Sequence, residues 1–474
     1  MIVPRYEQRT LFETAVCLML DHRDLLWDNW MMKVDEILDE EKVLAELVQS
    51  ALEKRRPKSK NRGRIGTPAE VVLRLLILKH LKDWSYDDLE KEVRANIVYR
   101  DFTRIGGNKV PDAKTMIKIS KVLDSNVIRQ INEKIVDVAK RDKVCSGRKM
   151  RVDTTVTETN IHYPTDSGLL SDATRVLTRT MKRIQKLTNK VGSTLRDRSR
   201  SVKLRVFQIA RSARMAVEER KTNQKAAYQK LMTIVGRILS QAETFVREVS
   251  TGIKKATTPV RQMVLIALME QLKDTSQLTR RVLNQTKARI LKGDTHYKDK
   301  IFSIFEEHTE AIRKGKLSKP TEFGKMIKIQ EAENQIITDY EIYQKRPYDV
   351  DLLQPSVLKH IEVFQKPPHL LATDAGFFSA KNEAMAHQQG VKWVAIPNRN
   401  TRDPQKRKNQ KKRWFRKAQR WRTGCEGRIS VIKRRHGLSR CRDRGMDGMN
   451  KWVGLGILAN NLIAIGKKRV ERQI

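Results

Sequence analysis

The hydrophobic periodicity of this 474-residue chain changes twice, and this change constrains the fold more than any other sequence feature. Between residues 172 and 313, apolar side chains recur at alternating steps of three and four, a spacing typical of long amphipathic helices. The clearest series is Tyr228, Leu231, Val235, Ile238, Ala242, Phe245 and Val249. Patterns typical of strands lie on both sides of this segment. The sequence therefore predicts a mixed α/β domain that a long all-helical segment interrupts.

The strand patterns define the elements of the predicted sheet. Residues 150–157 alternate apolar and polar side chains, which predicts a half-buried strand. Residues 326–330 and 335–343 predict a hairpin. Residues 369–373 and 391–396 are apolar and flank a short helical stretch, so they predict a parallel pair of strands in a βαβ unit.

The charge of the chain indicates a polyanionic partner. The sequence has 97 lysines and arginines against 55 aspartates and glutamates, a formal net charge of +42. Nucleic acid is the simplest partner for such a charge. Residues 399–444 are the most basic segment, with nineteen cations against three acids, and aromatic residues lie between the cations. We expect DNA phosphate contacts here, with Lys411, Lys412 and Arg413 among them.

The N-terminal part of the chain is predicted to be helical. Apolar residues recur at helical steps over residues 1–53, and the basic linker Lys54–Arg64 follows, either as a solvated joint or as an arm that contacts phosphate. The Thr-Pro pair at Thr67 is typical of a helix start with a capping box, and Ser85 is expected to cap a second helix. With a third helix over residues 114–123, this arrangement favours a helix-turn-helix module, although a bundle that only packs or dimerises is the alternative.

The sequence argues against several classes of protein. Four cysteines without a C-x-x-C pair do not form a disulfide scaffold or a common zinc finger. The N-terminus lacks the pattern of a signal peptide, and the most apolar windows, residues 264–269 and 453–466, are too short to span a membrane. No Walker motif occurs, so no nucleotide cofactor is expected. We expect a soluble, cytoplasmic, nucleoid-associated protein.

Three acidic residues stand out by their positions. Asp153 lies on the polar face of the first predicted strand, and Asp374 follows an apolar strand at its carboxyl end, where open α/β sheets form their sites. Glu426 lies in a helix of cations and, taken alone, would be expected only to balance charge. However, Arg422, Glu426 and Lys433 fall within roughly 60° on one helix face. A carboxylate between two cations suits a metal ion beside a phosphate.

This set of acids points to phosphodiester chemistry. Two divalent cations can neutralise the attacking and leaving oxygens together. Carboxylate oxygens suit magnesium or manganese rather than zinc. Cys425, His436 and Cys441 lie close in sequence, but their spacing matches no zinc pattern.

Several motifs resemble those of bacterial insertion-sequence DDE transposases, most closely the ISNCY group. Arg151-Val-Asp153-Thr-Thr-Val-Thr-Glu-Thr-Asn160-Ile-His162-Tyr-Pro164 resembles their first-aspartate strand and the hairpin after it, and Ala372-Thr-Asp374-Ala-Gly376-Phe resembles their second-aspartate strand. Arg422-x3-Glu426-x6-Lys433 matches their signature Y-x2-R-x3-E-x6-K except at the first position, where this chain has Gln419. Residues 73–93 resemble the helical N-terminal domain of the same enzymes.

The resemblance implies an RNase H-like catalytic core in which Asp153, Asp374 and Glu426 hold two Mg²⁺ ions, with Mn²⁺ as a substitute. It also implies that Arg422 and Lys433 hold phosphates. The expected activity is DNA cleavage at the ends of an insertion sequence and transfer of those ends into target DNA. The partners implied are the terminal inverted repeats, the target DNA and further copies of the chain, because two element ends must be held together.

On these grounds we divide the chain into four parts: N-terminal helices and a basic linker over residues 1–62; a helical, helix-turn-helix-like DNA-binding domain over 63–145; a catalytic domain over 146–171 and 320–474; and a helical insertion over 172–319.

Alternatives remain open at the level of the sequence. Glu383, nine residues after Asp374, is a rival third acid, although it lacks the arginine and lysine partners of Glu426. The same fold could also serve a nuclease that cuts without joining. A non-enzymatic DNA-binding protein from a decayed element is the third possibility.

Overall fold

The computed structural model describes residues 1–5, 27–55, 57–59, 65–188, 195–212, 214–252, 258–313, 319–398 and 400–472. These residues form two compact units, Met1–Asn160 with Ile312–Ile474, and Ile161–Ala311. Part of the predicted basic linker and the cation Arg399 lie outside the described residues.

The helices and strands are named here in chain order. They are α1 (Asn29–Glu40), α2 (Lys42–Arg55), α3 (Ala69–Lys82), α4 (Tyr86–Ala95), α5 (Ile97–Phe102), α6 (Ala113–Ser120), α7 (Ser125–Arg141), β1 (Lys149–Glu158), α8 (Asp166–Leu187), α9 (Ser199–Ser212), α10 (Val217–Gly252), α11 (Pro259–Lys292), β2 (Glu310–Ile312), β3 (Glu322–Glu331), β4 (Ile337–Ile342), α12 (Leu353–Phe364), β5 (Leu370–Ala372), α13 (Ala380–Gln388), β6 (Trp393–Ala395), α14 (Pro404–Lys411), α15 (Arg413–Arg435) and α16 (Gly445–Glu471).

The two predicted helix caps have different outcomes. Ser85 caps α4 through a reciprocal pair of hydrogen bonds with Asp88, as expected. The box at Thr67 is wrong, since the cap position of α3 falls on the following proline and no side chain caps the helix. Glu70 instead accepts a hydrogen bond from Arg74 Nε at 3.0 Å. The guanidinium of Arg74 is fully buried, and leaving a buried charge unpaired costs more free energy than leaving a helix end uncapped.

The sheet runs in the order β2-β3-β1-β5-β6, and β4 also pairs with β3. β1 pairs antiparallel with β3, and β3 pairs antiparallel with β4, which confirms the predicted hairpin. β1 is parallel to β5, and β5 is parallel to β6, which confirms the predicted parallel pair. Helix α13 lies between β5 and β6 in the chain, as the βαβ prediction requires.

The first strand is more buried than its alternation predicts. Every residue of β1 from Met150 to Thr157 is buried, so the prediction of a half-buried strand is wrong. β1 lies in the middle of the sheet, and both of its faces are covered. Met150 and Val152 pack with Leu353 and Val357 of α12 on one face. On the opposite face β1 contacts α15.

The second unit contains the predicted helical segment. Helices α8 to α11 pack on one another around buried apolar residues of each helix. The helical prediction holds only as far as Lys292, because Gly293 ends α11 with a left-handed φ of 71°. Asp166, at the start of α8, forms an ion pair with Arg289 at 3.1 Å and accepts a hydrogen bond from Gln285 at 3.2 Å. Within the described residues, no helix is long and apolar enough to cross a membrane.

Candidate active site

The sheet register brings Asp153 and Asp374 to the same level on neighbouring parallel strands. The parallel pairing of β1 and β5 ends at Arg151 and Ala372. Asp153 lies two residues further along β1, and Asp374 lies two residues beyond Ala372, just after β5 has ended. Hydrogen-bonded strands lie about 4.8 Å apart. The register therefore places the two acids at the same level, where β5 ends beside the middle of β1.

Local hydrogen bonds fix both carboxylates. Oδ1 of Asp153 accepts a hydrogen bond from the backbone N–H of Thr154 at 2.7 Å. Oδ1 of Asp374 accepts one from the N–H of Gly376 at 3.0 Å and so caps the short 3₁₀ turn Ala375–Phe377. Asp374 thus lies where β5 gives way to a tight turn, as the sequence predicted.

Arg151 anchors helix α15 on the same face of the sheet. Its side chain is buried, donates from Nε to Glu331 Oε2 of β3 at 3.0 Å, and donates a second hydrogen bond to the carbonyl of Trp421. The guanidinium carbon also lies 4.8 Å from the centre of the Trp421 ring. Gly424 permits this approach, because a Cβ there would lie 2.8 Å from an Arg151 nitrogen. The first strand, the hairpin and α15 therefore form one connected support.

Gln419, the departure from the family signature, has a structural role. Its side-chain amide donates to the carbonyl of Ala395 at 2.6 Å and to that of Thr373 at 3.3 Å. These carbonyls lie at the carboxyl ends of β6 and β5. Gln419 thus ties α15 to the residue directly before Asp374, so this position serves the site without a tyrosine.

Arg422 lies between the first and third predicted acids. One of its terminal nitrogens is 3.1 Å from Glu426 Oε1, and the other is 3.9 Å from Asp153 Oδ2. Arg422 and Asp153 are largely buried, whereas the Glu426 side chain is 59% exposed. Among the described residues, none accepts a hydrogen bond from the buried Nε of Arg422. Arg422 therefore links Asp153 to Glu426, and the register places Asp374 at the end of the neighbouring strand.

Two other predicted residues make contacts elsewhere. Lys433 lies 3.5 Å from the buried carboxylate of Glu322, at the start of β3. Glu383, the rival third acid, pairs with Lys406 of α14 at 3.0 Å and lines a cavity of about 250 Å³. Neither contact involves Asp153 or Asp374.

The predicted phosphate-contacting residues are exposed. Lys411 ends α14, Arg413 begins α15, and Lys412 stands between the two helices. All three side chains face solvent. Such a position leaves them accessible to a polyanion.

The cysteine and histidine near the signature are buried and neutral. Burial, reinforced by the charges of Glu331 and Asp153, raises the pKa of the Cys425 thiol well above its ordinary value. Burial lowers the pKa of His436, whose Nδ1 lies 3.0 Å from the carbonyl of His80. Metal ligation by Cys425 needs the thiolate, which this environment disfavours.

The donors at the sheet edge suit a hard cation. Asp153, Asp374 and Glu426 offer carboxylate oxygens, the ligands that magnesium and manganese prefer. Arg422 already supplies positive charge between two of them, which indicates that this position favours a cation. Among the residues that the structure describes, no three Asp, Glu, His or Cys side chains gather closely enough to surround a metal ion. As arranged here, Glu426 is engaged with Arg422.

One acid near this edge was not predicted from the sequence. Asp349 starts a 3₁₀ turn before α12, and its Oδ1 accepts a hydrogen bond from Thr154 at 3.2 Å. It follows no strand pattern, so nothing in its local sequence marks it. The two acids in the string Asp349-Val-Asp351 were its only signal.

Two family models match the chain. Residues 22–121 match the family described as "Transposase domain (DUF772)", and residues 380–465 match "Transposase DDE domain". The second match contains Arg422 and Glu426 but neither aspartate. No curated protein and no solved structure matches the chain. Both matches are to transposase families, and the second contains the signature around Glu426, so together they support an insertion-sequence DDE transposase.

Proposed function

We propose that this transposase cuts DNA at the ends of its insertion sequence and joins the freed ends to target DNA. In this proposal the sheet and its helices form an RNase H-like catalytic core, and Asp153, Asp374 and Glu426 hold two Mg²⁺ ions. The observation that carries the proposal is the convergence at one sheet edge. Asp153 and Asp374 each lie two residues beyond the last pair of the parallel strands β1 and β5, and Arg422 lies between Asp153 and Glu426.

When bound, the metal ions supply neutralisation of the attacking and leaving oxygens of the phosphodiester. The protein residues orient the reaction. Asp153 and Asp374 are held by backbone hydrogen bonds, so their carboxylates are preorganised. Arg422 forms an ion pair with Glu426, and if Glu426 held a cation, Arg422 would be available to bind a phosphate. Its planar guanidinium can bind two phosphate oxygens.

The reaction proceeds in two displacements without a covalent protein–DNA intermediate. Water attacks the phosphodiester at the element end, and the broken P–O bond leaves a 3′-hydroxyl. That hydroxyl then attacks a phosphodiester of the target, and a target 3′-oxygen leaves. Binding of terminal repeats belongs to the N-terminal helices, and the exposed Lys411, Lys412 and Arg413 contact phosphates. Two ends must meet, so the protein acts as a homo-oligomer on chromosomal DNA.

Substitution of each acid tests the proposal. Asp153→Asn, Asp374→Asn and Glu426→Gln each remove a ligand charge at nearly constant shape, so each should abolish Mg²⁺-dependent nicking of a plasmid that carries the element ends. DNA affinity, measured by fluorescence titration, should change little. Glu383→Gln is the matched control, because Glu383 pairs with Lys406.

The outcomes separate the alternatives. An active Glu426→Gln with an inactive Glu383→Gln would move the third acid to Glu383. Cleavage by the wild type without strand transfer would make the protein a nuclease. DNA binding without any nicking would make it an architectural protein.

A further inference from the structure

Asp349 reaches the same sheet edge from a different part of the chain. It lies 195 residues after Thr154, whose hydroxyl donates to Asp349 Oδ1 at 3.2 Å. Thr154 directly follows Asp153 on β1. The cap position of the 3₁₀ turn that Asp349 begins belongs to Tyr348. The Asp349 carboxylate is therefore directed to β1 and does not serve as the cap of its own turn.

The other oxygen of Asp349 and the carboxylate of Asp374 both lie near Gly376. A Cβ built on Gly376 would lie 3.1 Å from Asp349 Oδ2 and 3.3 Å from Asp374 Oδ1. The two oxygens therefore crowd the same side of one glycine. Gly376 permits this because it has no side chain. The two carboxylates therefore lie in one small region beside Gly376, in the turn that follows β5.

We propose that Asp349 is a positioning residue of the catalytic centre, and that its negative charge beside Asp374 strengthens the binding of a divalent cation there. The inference rests on the proposed function. Like charges held close together repel each other, and a bound dication relieves that repulsion. The hydrogen bond from Thr154 fixes the Asp349 carboxylate in this place, as outer-shell partners commonly do around metal sites.

The test compares two aspartates of the same 3₁₀ turn. Asp349→Asn keeps the shape and can still accept the hydrogen bond from Thr154, so it removes little besides the charge. Asp351→Asn is the matched control, because Asp351 is exposed and the substitution removes the same charge two residues away. Mn²⁺ binding to the full-length, DNA-free protein is measured by electron paramagnetic resonance. Asp349→Asn should weaken Mn²⁺ binding by about 10- to 100-fold, and Asp351→Asn should leave it unchanged.

Two further variants separate charge from structure. Asp349→Glu should restore most of the Mn²⁺ affinity, and Thr154→Val should weaken it in the same direction but less. Nicking by Asp349→Asn should recover at higher Mg²⁺ concentration, whereas nicking by Asp374→Asn should not. If Asp349→Asn fails to fold, the Mn²⁺ affinities of Asp349→Glu and Thr154→Val decide the matter.

The failure of this inference differs from the failure of the proposed function. If Asp374→Asn loses Mn²⁺ and Asp349→Asn binds it as Asp351→Asn does, Asp349 has no such role and the metal centre stands. Equal loss in Asp349→Asn and Asp349→Glu would make the role one of shape and would overturn the inference. If wild type and Asp374→Asn bind Mn²⁺ equally, or neither binds it, the metal centre and this inference both fall.

Discussion

At the scale of single residues, two glycines of α15 have opposite surroundings. A Cβ at Gly424 would press on the buried guanidinium of Arg151, whereas a Cβ at Gly427 would meet no atom within 4 Å. Arg151 has no easy alternative position, because Glu331 and the Trp421 carbonyl hold it. The two positions therefore separate a packing requirement from the general cost of glycine in a helix.

We predict that Gly424→Ala lowers the free energy of unfolding by about 1–3 kcal/mol, because it overpacks a fixed buried group. Gly427→Ala should raise it by up to about 1 kcal/mol, because alanine favours the helix. Urea denaturation of both variants measures the difference. Equal effects from the two substitutions would contradict the role assigned to Arg151.

Arg422 should differ from the exposed cations of the same helix. Its contacts with Asp153 and Glu426 place it at the site, so Arg422→Ala should lower the nicking rate at saturating DNA by about 100-fold or more. Arg413→Ala should weaken binding and leave that rate unchanged. Paired titration and nicking assays distinguish the two. If both substitutions only weaken binding, Arg422 is another phosphate anchor.

At the scale of secondary-structure elements, α12 is joined to the start of the sheet by a buried histidine. Nε2 of His360 lies 2.9 Å from the carbonyl of Gly147, just before β1, and the side chain is fully buried. Burial lowers the pKa of His360 to about 4. Helix α12, which directly follows the Asp349 turn, is therefore held at the sheet by a histidine that must stay neutral.

This pKa predicts a loss of stability in acid. Above the ordinary histidine pKa near 6.5, His360 is neutral in both folded and unfolded states. As the pH falls from there to about 4, the unfolded state takes up the proton first, so the free energy of unfolding falls by up to about 3 kcal/mol. Urea denaturation should give a shallower pH dependence for His360→Gln over this range. An identical dependence in the variant and the wild type would show that other groups cause the loss.

At the scale of the whole molecule, the net charge of +42 dominates encounters with DNA. If about six to ten phosphates are neutralised, non-specific affinity should fall at least about a thousandfold between 50 and 200 mM salt. Lys411→Ala, Lys412→Ala and Arg413→Ala should each reduce the slope of log affinity against log salt by about one. Fluorescence titration over a salt series measures both. A slope that these changes leave intact would move the phosphate contacts elsewhere.

The helical unit should carry no catalytic ligand, because the acids of the site all belong to the other unit. Glu307 pairs with Arg281 at 2.8 Å on the surface, and Glu243 pairs with Arg280. Glu243→Ala and Glu307→Ala should therefore leave Mg²⁺-dependent nicking unchanged. A folded, DNA-binding variant of either residue that does not cut would contradict this expectation.

The sequence by itself determined the features that follow from the periodicity of helices and strands. The period of two in the apolar side chains predicted where the strands lie. Arg422 comes four residues before Glu426, and side chains four residues apart on a helix meet, so the sequence predicted their contact. The order strand, helix, strand predicted the parallel pair that ends beside Asp374. These features depend on neighbours in the chain, so a single sequence is sufficient to predict them.

Tertiary structure decided the contacts between distant parts of the chain. Helical spacing put Lys433 on the same face as Glu426, but seven residues of helix separate them by about 10 Å, and Lys433 reached Glu322 instead. The alternation of β1 predicted one solvated face, yet both faces became buried because α12 and α15 cover them. Asp349 accepts a hydrogen bond from Thr154, although 195 residues separate the two in the chain. Such meetings depend on how whole elements pack, and no local period of the sequence encodes them.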